Sequence, residues 1–297
     1  MNIIGRRKLW FGISIVLILP GLISLILWGL KPGIDFTGGS EVEIENINQS
    51  QAEEFAKAAQ AQNITVTTSG QNRVLIRFNS PNDETAKKSI EQISASVSQN
   101  GGKVVTVDNV GPSVSKDISK NALIAISLAS LAIVIYIAFA FRNAPPPVSP
   151  WSFGICAIIA MLHDAIFVLG VFSLLGHFRG VEVDSLFVTA VLTVIGFSVH
   201  DTIVVFDRIR ENLRRYNKPF EQIVNQSIIE TFVRSINTSL TVVMTLLALY
   251  LFGGESIKHF ILALLIGIIS GTYSSIFNAS PLLVVWNNYK QKKAAKA

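Results

Sequence analysis

Val188–Arg215 reads VTAVLTVIGFSVHDTIVVFDRIRENLRR. Apolar and small residues lead into His200 and Asp201, five uncharged residues follow, and only then does a dense charged run begin. An ionisable pair therefore falls inside a stretch that otherwise reads as a membrane-spanning helix. A charge at bilayer depth costs about 2.5–3.5 kcal/mol on insertion scales, so Asp201 is a candidate working residue before anything else is known.

Half of the residues are hydrophobic, only 15% are charged, and the mean hydropathy is +0.48, a composition that puts most of the chain in lipid. Six stretches approach the roughly 20 residues that a crossing needs: Leu9–Leu30, Ala122–Phe141, Ser152–Leu175, Leu186–Phe206, Ile236–Phe252 and Phe260–Trp286. The fifth is the shortest. The expected fold is an α-helical polytopic membrane protein with six transmembrane helices.

A net charge of +5 suggests nucleic acid in a soluble protein, but here the basic residues sit beside the spans. Arg6, Arg7 and Lys8 precede the first and Arg142 follows the second. Arg208, Arg210, Arg214, Arg215 and Lys218 follow the fourth, and Lys290, Lys292, Lys293 and Lys296 end the chain. With six spans all of these fall on one side, while the opposite short loops carry only Arg179 and Lys258. That bias predicts cytoplasmic termini and an exported first loop, with membrane lipid and no nucleic acid as surroundings. The N-terminal GRRK and its apolar run lack a small-x-small cleavage site and are read as a retained first helix, residues 1–30. Cys156, the sole cysteine, allows no intramolecular disulfide and no cysteine metal cluster.

Residues 31–120 form a polar insert of different pattern. SEVEIENI alternates as a strand, SQAEEFAKAAQAQN suits a helix with Ser50 as N-cap, and NITVTTS and QNRVLIRF read as strands around a Gly70 turn. NDETAKKSIEQISASVSQ then supplies a helix and KVVTVDNV a strand. The order β-α-β-β-α-β predicts a small α+β, ferredoxin-like exported domain. Residues 121–297 hold the other five spans, a cytoplasmic loop at about 207–235 and a basic tail.

The insert opens with GIDFTGGS (residues 33–40) and closes with GPSVSKDIS (residues 111–119). Gly33, Gly38 and Gly39 permit backbone angles closed to other residues, and Asp35 reads as a turn cap. The same residues, with Gly111 and Pro112, also suit a hinge or rigid collar that links domain movement to the membrane.

GIDFTGGS after the first span, GPSVSKDI before the second and GFSVHDTIVVFDRIREN at the end of the fourth resemble the SecF family, one component of the bacterial SecD–SecF accessory complex of the Sec translocon. The resemblance covers the whole chain, with six spans, one exported domain and the motifs in order. It implies a six-helix half of an RND-superfamily architecture that pairs with SecD and uses the proton-motive force to promote protein translocation. It further implies the SecYEG translocon, YajC and YidC, and translocating preproteins as partners. The bacterial cytoplasmic membrane is the implied location, or the thylakoid membrane in a cyanobacterium. The family's carboxylate in the fourth span falls on Asp201, and its arginine at the start of the fifth falls on Arg234 in TFVRSINTS. In the family these act with an aspartate that SecD supplies, so half of the proton site lies outside this chain.

The chemistry agrees with that role. Burial favours a protonated carboxylate and a nearby guanidinium favours an ionised one, so an arginine moving relative to Asp201 would switch proton uptake to release. Asn237, Thr238, Thr241 and Thr245 follow Arg234 at helical spacing and make a polar stripe, which suits either a water-lined proton path or interhelical hydrogen bonds. His200 and the dipeptide His163–Asp164 in the third span add titratable groups. Adjacent residues on a helix diverge by about 100°, so each dipeptide is expected to turn one group inward, with too few ligands for a metal. Asp164 is the stronger supporting candidate. Arg208 lies seven residues beyond Asp201 and shares its face, which allows a lower gate, although the run to Arg215 also suits a solvated, topology-setting surface.

Two other functions compete. An intramembrane aspartyl protease would use Asp164 and Asp201, but the usual GxGD context is replaced by GFSVHD. A self-contained ion-coupled exporter of small molecules would use Asp201 alone, but six spans with one small domain are half of the usual architecture and show no internal duplication. No P-loop, nucleophile elbow, HExxH or nucleotide-binding fingerprint is present, so neither enzymatic activity nor a cofactor is expected.

Overall fold

The computed structural model of the chain describes residues 2–68, 72–80, 82–143 and 145–294. Two compact units emerge: Pro32–Ile124, and Met1–Lys31 together with Ala125–Ala297.

The elements run in the order α1 (Arg7–Leu27), α2 (Ile34–Thr37), β1 (Gly39–Glu45), α3 (Gln49–Ala58), β2 (Gln62–Thr68), β3 (Arg73–Asn79), α4 (Asp83–Gln99) and β4 (Lys103–Val110). They continue through α5 (Pro112–Ala140), α6 (Pro150–Arg179), α7 (Ser185–Arg215), α8 (Phe220–Phe252) and α9 (Lys258–Ser274). A π-helical turn, Ser275–Ala279, then leads into α10 (Ser280–Ala294).

In the smaller unit the four strands form an antiparallel sheet ordered β2-β3-β1-β4, the split arrangement that the strand–helix pattern predicts. Alternation drives it. Val42 and Ile44 on β1, Val74, Ile76 and Phe78 on β3, and Val66 on β2 are buried with Ala52, Ala56, Ile93 and Val97 of α3 and α4. The opposite face of the sheet is charged and cross-paired. Glu41 stands opposite Arg77 in the strand register and forms an ion pair with it, while Arg73 Nη1 lies 3.5 Å from Glu43 Oε1.

Ser50 does not cap α3. Asn48 does, because a capping box needs a glutamine or glutamate three residues on: Asn48 Oδ1 accepts from Gln51 N at 2.8 Å, and Asn48 N donates to Gln51 Oε1 at 3.3 Å. The expected Gly70 turn lies outside the described residues.

In the larger unit, α6, α7 and α9 form the interior, with α1 against α6 and α8 against α7 and α9. Local signals set the helix ends. Pro150 starts α6 after Ser149 and Gly180 closes it at φ +70°, while Asp184 caps α7 by accepting from Phe187 N at 2.7 Å. Among the described residues six helical segments are long and apolar enough to cross a membrane, the last running from Lys258 to Lys293 through α9, the π turn and α10. Gly21 and Gly170 bring α1 and α6 into close contact, a Cβ on Gly21 falling 2.8 Å from the Gly170 Cα. Beside them Ser24 and Ser173 join their hydroxyls at 2.7 Å.

The expected loop at about 207–235 is mostly helix: α7 continues to Arg215, α8 begins at Phe220, and only residues 216–219 separate them. Ion pairs at helical spacing explain the difference, with Arg208 Nη1 at 2.6 Å from Glu211 Oε2 and Arg215 Nη1 at 3.4 Å from Glu211 Oε1. The fifth span, expected to be the shortest, lies within a helix of 33 residues.

Candidate functional site

The amphipathic part of α7 turns Val191, Val194, Ile195, Ser198, Asp201, Thr202 and Val205 inward. Asp201 is only 2% exposed. Its Oδ2 accepts from Ser239 Oγ of α8 at 3.4 Å, with Thr272 of α9 as a second hydroxyl beside the carboxylate. Ser239 and Thr272 join each other at 2.5 Å, and Thr272 Oγ1 also reaches Ile268 O at 3.0 Å. Each hydroxyl near Asp201 thus has a competing partner for its single hydrogen.

Asp164 on α6 is fully buried and more completely satisfied. Its Oδ2 accepts from Ser198 Oγ of α7 at 2.6 Å and from Ser274 Oγ of α9 at 2.5 Å. Its Oδ1 accepts from Ser270 Oγ at 2.7 Å and lies 3.0 Å from His163 Nδ1. His163 Nε2 is 3.1 Å from Asn278 Nδ2, and Asn278 Oδ1 accepts from Ser14 Oγ of α1 at 2.8 Å. The expectation of one inward group per dipeptide therefore fails at His163–Asp164. Because α6 is enclosed by α1, α7, α9 and the π turn, directions 100° apart both find partners. At the second dipeptide, Asp201 is buried and His200 is exposed.

The two carboxylates share no hydrogen-bond donor among the described residues. Serine and threonine positions supply the donors, and these were missed in the sequence: Ser198, Ser239, Ser270, Thr272 and Ser274. The three on α9 carry a signal, the run SGTYSS at residues 270–275, small polar residues inside an apolar span.

Arg234 does not meet Asp201. It is exposed on α8 and, among the described residues, makes no hydrogen bond or ion pair. Asn237, Thr238 and Thr241 share its exposed side, and Thr241 Oγ1 donates to its own helix at Thr238 O, 2.8 Å away. The expected stripe exists but, among the described residues, supplies no interhelical bonds, because the buried side of α8 carries Ser227, Thr231, Ser235 and Ser239 instead. Arg208 is held by Glu230 at 2.5 Å and by Glu211 at 2.6 Å.

In the smaller unit, Gly38 at φ +74° and Gly39 at φ +128° let the chain turn from α2 into β1. A Cβ on Gly39 would lie 2.8 Å from Asn79 Oδ1 and 3.0 Å from Phe78 O, and one on Gly38 would lie 3.4 Å from Val110 O. Gly111 and Pro112 follow directly, so the two junction motifs adjoin. Asp35 lies within the single turn of α2, whose N-cap is Gly33.

Family comparison places these features in context. Residues 87–289 match the family model described as protein export membrane protein SecD/SecF, C-terminal, and residues 24–45 match the SecD/SecF GG motif. The chain is 52% identical to the protein translocase subunit SecF of Thermobaculum terrenum, over 97% of this chain and 94% of that one. It is 35% identical to the protein translocase subunit SecDF of Bacillus subtilis, over 97% of this chain but 38% of that longer protein. The crystal structure of a Thermus SecDF, a translocon-associated membrane protein, superposes with a TM-score of 0.83 at 31% identity, covering 97% of this chain and 39% of that one.

Proposed function

The chain belongs to the SecD/SecF family of protein-export membrane proteins, and on that premise we propose that Asp201 is its proton-carrying group and Arg234 the residue that it presents to a partner. The protein is a multi-pass membrane subunit that serves Sec-dependent translocation in an accessory role. Its relatives are named as translocase subunits, which supports our reading that it acts by coupling.

The observation that carries the proposal is the split geometry of α8. One side of that helix reaches buried Asp201 through Ser239, and the other leaves Arg234 exposed. A cation on the outside of a membrane bundle is costly unless a neighbouring protein pairs with it. SecD is that neighbour in our reading. The Bacillus relative carries SecD and SecF in one chain, of which this chain matches 38%. SecYEG, with YajC and YidC, and translocating preproteins complete the assembly we propose.

Basic residues beside the spans support cytoplasmic termini, an extracytoplasmic segment at residues 31–120, and the bacterial cytoplasmic membrane as location. A gradient supplies about 2.3 kcal/mol per charge per 100 mV, enough to bias a conformational cycle if Asp201 changes its charge within the field. The test is proton entry into liposomes that contain the complex with SecD, followed with an internal pH dye. Wild type should acidify the lumen and Asp201→Asn should not. Equal acidification by both would remove Asp201 from the pathway.

A further inference from the structure

We infer that Asp164 is a positioning residue for Asp201: it fixes α9 from one side so that Thr272 is presented to Asp201 on the other. The inference rests on the reading of Asp201 as the proton carrier.

The two carboxylates differ in their hydrogen-bond donors. Ser198, Ser270 and Ser274 donate to the two oxygens of Asp164 and His163 Nδ1 lies 3.0 Å from Oδ1, so each oxygen has two close partners; among the described residues, of the three hydroxyls only Ser274 has another acceptor, Gly271 O at 3.2 Å. Asp201 has two neighbouring hydroxyls, each with another acceptor within 3.0 Å or less. One carboxylate is held and the other is left exchangeable.

Helix geometry connects them. Ser270 and Ser274 are one turn apart on α9 and face Asp164, whereas Thr272 lies between them, about 200° around the helix from each. Thr272 therefore faces Ser239 and Asp201. The α9 hydroxyls that serve Asp164 and the α9 hydroxyl beside Asp201 thus lie on different sides of one helix. A rotation or axial slide of α9 that disturbed the Asp164 bonds would also displace Thr272.

The ends of this arrangement are fastened too. His163 reaches Asn278 in the π turn at 3.1 Å, and Asn278 accepts from Ser14 of α1 at 2.8 Å. Ser275 Oγ reaches Ser198 O at 3.3 Å and joins Thr202 Oγ1 at 3.0 Å, which ties the start of the π turn to α7 beside Asp201. A π turn within a helix commonly marks a functional position. Here it follows directly after the residues that serve both carboxylates.

Few other charges interfere. Apart from Asp164 itself, the ionisable groups in residues 150–176 of α6, 185–206 of α7 and 260–274 of α9 are His163, Cys156, Asp201, exposed His200 and Tyr273, whose hydroxyl lies 3.3 Å from Ser14 Oγ; the other charged groups of these helices lie at their ends, from His177, Asp207 and Lys258–His259 outward. Residues 9–30 of α1 and 260–289 of the last span contain no Asp, Glu, Lys or Arg, and their further tyrosine is Tyr289 near the end of α10.

The experiment measures the pH dependence of proton-gradient-driven preprotein translocation in inverted vesicles carrying the intact complex with SecD. Wild type is compared with Asp164→Asn, Thr272→Ala and the double variant. Asp164→Asn should move the midpoint by about one pH unit, the size of one hydrogen bond to a charged group. Thr272→Ala should move it as far, and the double variant no further than Thr272→Ala alone. A purely structural aspartate would lower the amplitude and leave the midpoint in place, which would overturn the inference, as would additive shifts. If Asp164→Asn does not assemble, Ser270→Ala and Ser274→Ala keep the carboxylate and the packing. Each should then shift the midpoint by a smaller amount, and unshifted profiles would overturn the proposal. An Asp201→Asn complex that kept the full gradient dependence would instead overturn the proton-carrier reading itself, a separately recognisable result.

Discussion

Asp201 and Arg234 lie on different sides of one helix wall: Asp201 is buried against Ser239 of α8, and Arg234 projects from the exposed side of that same helix. Under the proposed coupling of these two residues, their separation in the single chain calls for a site completed by another subunit.

The first prediction concerns that exposed side. In a Cys156→Ser background, cysteines placed singly at Arg234, Asn237, Thr238 and Thr241 should react with a membrane-permeable maleimide in the isolated chain and be protected in the SecD complex. Cysteines at buried Ser235 and Ser239 should remain unlabelled in both. Equal labelling at Arg234 with and without SecD would place the interface elsewhere.

The second prediction concerns α1 and α6. A side chain at Gly170 would put its Cβ 2.7 Å from the Gly21 Cα, so the helices have to separate to accept it. Gly170→Val should destabilise the protein by about 1–3 kcal/mol through overpacking, visible as a lower melting temperature in detergent. An unchanged melting temperature would contradict the close approach.

The third prediction concerns the turn into β1. Gly39→Val forces a β-branched residue to φ +128° and against Asn79 and Phe78. The expected cost is about 1–3 kcal/mol. Faster amide exchange at residues 39–45 and 73–79 is the readout, with the bundle helices unaffected. Unchanged exchange would show that this backbone angle is not required.

Much of this architecture was legible in the sequence because it follows periodicity. Val42, Ile44, Val74, Ile76 and Phe78 alternate, and their burial follows directly. The position of Asp201 was legible from hydropathy, since polar burial within an apolar run needs no tertiary knowledge. The orientation of α8 was not. Ser235 and Ser239 compete with Asn237, Thr238 and Thr241 for the inward side, and only the neighbouring α7 and α9 decide between two polar stripes on one helix. The surroundings of Asp164 were hidden for a related reason: its donors come from three helices, separated by up to 110 positions along the chain. How far the helices run through 207–235 was not legible, because Arg208 meets Glu211 on its own helix and Glu230 on the next.

The most direct measurement is preprotein translocation into inverted vesicles that carry this chain with SecD, with and without an imposed proton gradient. Wild type is compared with Asp201→Asn and Arg234→Ala at matched expression and SecD binding. The account expects both variants to assemble and to lose the gradient-dependent gain, leaving translocation at the level seen without the gradient. Full stimulation by an Asp201→Asn complex would contradict it.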